Sequence, residues 1–132
     1  VLERDYQALG GELETLQAQP RNVGTEALHA FLMHRSSLPN PVDLLGAMWI
    51  IEGLGEKMAG SWAERMEELS GCGPEATRFL RYHASHDEGH LDKLYALLDR
   101  VCTSEERAET IVKTAKVVAR LYALQLEELD HV

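Results

Sequence analysis

At 132 residues the chain is one domain's worth of polypeptide, long enough for a single core, with an ordinary globular share of hydrophobic residues at 45%. Its formal charge of −9 argues against a nucleic acid or an anionic membrane as partner, and it has neither an apolar run of about 18 residues nor a visible signal peptide. Two cysteines, Cys72 and Cys102, are too few for a disulfide scaffold and form no CxxC, so free thiols and a cytoplasmic location are expected.

Hydrophobic spacing reads as five helices and no strand. The first runs from about Leu2 to Gln17, with Leu2, Tyr6, Leu9, Leu13 and Leu16 on one side. Gly10-Gly11 weakens its middle, each glycine costing roughly 1 kcal/mol relative to alanine, and Pro20 ends it. Thr25 reads as the N-cap of a short second helix to about Ser36, with Leu28, Phe31 and Leu32 inward. Leu38-Pro-Asn-Pro41 breaks the pattern. A long third helix follows from about Val42 to Leu69, where Leu45, Met48, Trp49, Ala59, Trp62 and Met66 recur at helical spacing. Gly53, Gly55 and Gly60 thin it and permit a bend or a close approach. Gly71-Cys-Gly-Pro74 stops it, and Pro74 suits the first turn of a fourth helix to about Val101. Thr103-Ser-Glu-Glu106 reads as a capping box for a fifth helix, whose buried face carries Ile111, Ala115, Val118, Tyr122, Leu126 and Leu129. There is no internal repeat and no low-complexity stretch.

The chemistry concentrates in His83-Ala-Ser-His86-Asp87-Glu88-Gly-His90. On a continuous helix His83, Asp87 and His90 stand at i, i+4 and i+7 and share one face. That face is also the apolar one, continued by Ala76, Leu80, Leu94, Leu97 and Val101. Ionisable groups in such a stripe are costly unless paired or bound to metal, and imidazole with carboxylate suits iron, manganese or zinc. The third helix offers a partner. Glu52 lies in its apolar stripe, and a short glycine-rich turn makes the third and fourth helices antiparallel neighbours. At about 1.5 Å of rise per residue, Glu52 and Asp87 reach comparable heights from Gly71, so Glu52 can meet His83, Asp87 and His90 as a half-shell of two nitrogens and two carboxylate oxygens. The competing reading is a mutual salt-bridge network without metal. Single histidines such as His29, His34 and His131 read as hydrogen-bonded core or rim residues. His86 sits near the edge of the face and Glu88 points away. Glu56 divides between support of the site and surface. Trp49, Trp62 and Tyr82 read most simply as core, or as walls of a substrate pocket.

Three stretches resemble the C-terminal part of the haem-oxygenase-like diiron oxidases and oxygenases, also described as iron-containing redox enzymes, so residues 1–132 are expected to be the C-terminal part of such a domain. Leu45-Gly-Ala-Met-Trp-Ile-Ile-Glu52-Gly-Leu-Gly55 is similar to the family's Glu-bearing helix, His83-x3-Asp87-x2-His90 to its ligand helix, and Ile111 to Leu129 to the helix that closes the domain. The interval from Glu52 to His83 also resembles the family's. The resemblance implies an all-α haem-oxygenase-like bundle with Glu52, His83, Asp87 and His90 as iron ligands. It implies two ferrous ions that reduce O₂, with attack on a C–H bond, an amine nitrogen or a carbon–carbon bond of a small organic or acyl substrate, electrons coming from an unidentified donor.

The chain departs from the family pattern upstream, where two earlier helices supply a Glu and then a Glu-and-His pair. Glu12, Glu14, Glu26 and His29 are the upstream candidates here, and Glu12 and Glu26 lie off their helices' apolar stripes. The chain also opens at Val1 rather than Met, which reads as a processed product or a piece of a longer polypeptide. The missing ligands are then expected on another segment of that polypeptide or on a second copy in a homodimer; otherwise the site holds one metal or none. The rival functions are a haem-degrading oxygenase, which needs a proximal histidine on an early helix, and a non-catalytic helical scaffold or partner-binding module. A zinc hydrolase fits less well, because four ligands leave no separate base.

Overall fold

The computed structural model describes residues 1–86 and 89–129, without the side chain of His86. Among these residues the chain is all-α with no strand. It forms α1 (Leu2–Ala8), α2 (Leu13–Ala18), α3 (Val23–Ser36), α4 (Leu44–Ser70), a 3-10 turn (Pro74–Ala76), α5 (Arg78–His86), α6 (His90–Val101) and α7 (Glu105–Glu127). No described helix is long and apolar enough to cross a membrane.

Two of the five expected helices are each divided, and glycine marks both divisions. Gly10, at φ +86°, takes the left-handed conformation that side chains resist, so α1 and α2 are separate pieces. Gly89, at φ +89°, stands between α5 and α6, so His83 and His90 belong to different helices rather than to one continuous face. The three glycines of the long helix behave otherwise: α4 runs unbroken through Gly53, Gly55 and Gly60. Two caps also shift. Asn22, not Thr25, caps α3, its side-chain oxygen accepting from Thr25 N–H at 2.8 Å while its Nδ2 donates to the Gln125 carbonyl at 2.9 Å. Ser104, not Thr103, caps α7 by accepting from Arg107 N–H at 3.3 Å.

Residues 1–19 and 52–90 form one compact unit. There α1 packs on the 3-10 turn and on α5. Glu67 binds Thr77 and Arg81, a Cβ on Gly60 would sit 3.6 Å from Ala84 Cβ, and Glu52 meets His90. The order of these pairs along the chain makes α4 antiparallel to the segment that carries the histidines. Residues 20–51, with the described residues from Leu91 onward, form a second unit. Its core is Leu28, Ala47 and Val118, with Phe31, Leu32, Leu44, Ile50, Leu121 and Tyr122 packed around them. Burial pushes the Tyr122 phenol above its ordinary pKa.

In both units the tightest seams are lined by small residues. A Cβ on Gly46 would meet the Ile111 carbonyl oxygen at 2.1 Å, and one on Gly24 the Gln125 nitrogen at 2.3 Å. Ala47, Ala59, Ala63 and Ala76 are buried, whereas Met48, Trp49, Met66 and Tyr82, expected inside, are exposed. Leu2, Leu9, Leu16, Leu97, Leu126 and Leu129 are exposed as well. Where helix backbones approach closely there is no room for large side chains, which move to the flanks of the seam.

Candidate metal centre

Glu52 leaves α4 and His90 opens α6, and their side chains meet: Glu52 Oε2 lies 3.2 Å from His90 Nδ1. The local sequence explains the meeting. Both residues stand equally far along the chain from Gly71, whose φ of +69° helps turn the chain back, so antiparallel packing brings them level. Glu52 is half-buried and His90 is exposed, with 28% and 46% of their side chains open to solvent, rather than both lying in the apolar interior that the helical stripe implied.

His83 is half-buried on α5. Its imidazole packs edge-on against two rings of its own helix, Phe79 at 4.6 Å between centroids and 63°, and Tyr82 at 5.7 Å and 88°. Edge-to-face packing of this kind is a favourable arrangement of rings. Asp87 and Glu88 lie outside the described residues, as does the side chain of His86. The structure therefore describes three of the four expected ligands and brings Glu52 and His90 into contact. Among the described residues no three His, Cys, Asp or Glu side chains group closely enough to hold a metal ion. Glu56 is half-buried beside Lys57 at 3.7 Å. Of the upstream candidates, Glu12, Glu14, Glu26 and His29 are all exposed, and Glu26 faces Arg21. His29 and His34 lie on the surface rather than in the core. His131 lies outside the described residues.

At 3.2 Å the contact is a hydrogen bond between carboxylate and imidazole. The donor chemistry, one carboxylate oxygen and one imidazole nitrogen, is that of non-haem iron and other borderline metals.

Sequence reading missed two features around the α4–α5 connection. Glu67 accepts from Arg81 Nε at 2.8 Å and Nη2 at 2.6 Å and from the Thr77 hydroxyl. These hydrogen bonds, Arg81's first, lower the Glu67 carboxyl to about 2, and the same pairing raises the Arg81 guanidinium. Glu67 and Arg81 stand equally far along the chain from Pro74 in the connecting turn, and that spacing is the signal that would have found this clamp. The other feature is Asp5, the one residue of α1 that is buried. Its Oδ2 accepts from Phe79 N–H at 2.7 Å, and its Oδ1 is buried with no hydrogen-bond partner among the described residues. Nothing in local spacing marks Asp5, because its partner lies 74 positions away.

The chain belongs to the haem-oxygenase-like family described as iron-containing redox enzyme, whose model matches residues 1–123. No curated protein and no solved structure matches it. Membership carries iron and redox chemistry to the chain at family level.

Proposed function

We propose that the protein is a non-haem diiron oxidoreductase that activates O₂ against a small organic or acyl substrate, with Glu52, His83, Asp87 and His90 as iron ligands. The observation that carries this reading is the 3.2 Å approach of Glu52 Oε2 to His90 Nδ1, in a chain that belongs to an iron-containing redox family. Bound iron would supply reducing electrons and open positions for oxygen. The protein's own part is different: Glu52 neutralises cationic charge, neutral imidazoles at His83 and His90 donate nitrogen lone pairs, and the Phe79 and Tyr82 rings keep the His83 ring turned. A second ion needs further carboxylate donors, which would come from elsewhere in a longer polypeptide or from a second copy in a homodimer.

Metal analysis of protein purified under iron-replete conditions tests the reading. His83→Ala, Asp87→Ala and Glu52→Ala should each lower iron content severalfold while the helical circular dichroism persists, and Glu88→Ala should not. Unchanged iron in both His83→Ala and Asp87→Ala refutes the ligand assignment. Wild-type protein that takes up no iron would instead favour a helical partner-binding module, and a Soret band on haem titration a haem-degrading oxygenase.

A further inference from the structure

We propose that Asp5, on α1, is a positioning residue for His83: it caps the first turn of α5 and, through Phe79, sets the orientation of the His83 imidazole. The reasoning starts from the end of α5. The first N–H groups of a helix have no partner within it, and a side chain just before the helix usually supplies one. Thr77 stands in that place, but its hydroxyl donates to Glu67. The Phe79 N–H is taken instead by Asp5 Oδ2, at 2.7 Å. Asp5 is 5% exposed, so this bond is shielded from water, and a carboxylate at a helix N-terminus is also favoured by the helix dipole.

The effect passes to His83 in one further step. Phe79 and His83 are one helical turn apart, and their rings meet at 4.6 Å and 63°. The backbone nitrogen that Asp5 holds and the ring that packs on the imidazole thus belong to the same residue. Without Asp5, the first turn of α5 frays, Phe79 loses its fixed backbone, and the imidazole loses a wall. Groups that orient a ligating histidine without touching the metal typically govern about 10- to 100-fold in metal affinity.

The metal arm of the test rests on the iron reading above; the apo arm does not. In metal-free protein, ring ¹H–¹⁵N correlations report the His83 imidazole directly. Asp5→Ala should move or broaden the His83 ring signals and leave those of His90 in place. Phe79→Leu should reproduce the change, and Asp5→Asn, which keeps an acceptor for the Phe79 N–H, should restore the wild-type signals. Anaerobic titration with ferrous ion, well below each variant's melting temperature, should then show affinity weakened about 10- to 100-fold in Asp5→Ala and recovered in Asp5→Asn. If Asp5→Ala does not fold, Phe79→Leu and Asp5→Asn decide by the same signals. His83 ring signals that stay at their wild-type positions in folded Asp5→Ala, or in Phe79→Leu, overturn the proposal. Wild-type protein that binds no ferrous ion overturns the iron reading alone and leaves the imidazole result standing.

Discussion

Removing the Asp43 carboxylate should be among the most damaging single changes in the second unit. Asp43 directly precedes α4 and is 1% exposed. Its Oδ2 alone gathers three donors: Arg35 Nε at 2.7 Å, Arg35 Nη2 at 2.5 Å and the Thr114 hydroxyl at 2.7 Å. It thereby joins the C-terminal end of α3 and the middle of α7 to the start of α4. Breaking a buried ion pair by removing one partner costs about 3–5 kcal/mol. The Arg35 side chain is 26% exposed and can regain some water, which argues for the lower end, about 3 kcal/mol for Asp43→Ala. Thr114→Val leaves both arginine bonds in place and removes one hydrogen bond to a charged acceptor, about 1.5–3 kcal/mol. The two changes share one oxygen, so the double variant should be less destabilised than their sum. Urea denaturation followed by circular dichroism measures both; a 3 kcal/mol loss lowers the midpoint by roughly 1–3 M for ordinary slopes. A stability for Asp43→Ala within about 0.5 kcal/mol of wild type, the range of an ordinary surface substitution, would refute the reasoning.

The Glu67 clamp predicts an acid-dependent contribution to stability. Its folded-state carboxyl is depressed from 4.5 to about 2, so the stabilisation is fully present above about 4.5 and fades as pH falls through about 2; denaturant midpoints between these limits should fall more steeply with acidification in wild type than in Glu67→Gln, and parallel curves would count against the clamp. Gly46→Ala should destabilise even though alanine is the better helix former by about 1 kcal/mol, because the new methyl group would press on the Ile111 carbonyl, and overpacking of this kind costs about 1–3 kcal/mol; a raised melting temperature would contradict it. The same holds for Gly24→Ala against Gln125, with the same thermal melt as its measure.

Periodicity and punctuation, which are local properties, were enough to read an all-α chain, the extents of α3, α4 and α7 to within a few residues, and the turn that begins at Gly71. The pattern His83-x3-Asp87-x2-His90 with Glu52 upstream was likewise sufficient to suggest the family. What local spacing could not decide is which residues fill the interior. It placed Leu28, Leu94, Ile111 and Val118 inside, where they are, but it also counted Met48, Trp49 and Met66 as core; the close seams of α4 are lined by Gly46, Ala47, Ala59 and Ala63, and those three stand outside. It treated His83 and His90 as one helical face, whereas Gly89 separates their helices. Antiparallel packing then brings His90 to Glu52. Asp5 and Phe79 are far apart in the sequence, and Asp43 is as remote from Thr114; such contacts exist only once helices have docked. A sequence states what each segment prefers by itself, but burial and long-range hydrogen bonding depend on which backbones come close enough to exclude water between them.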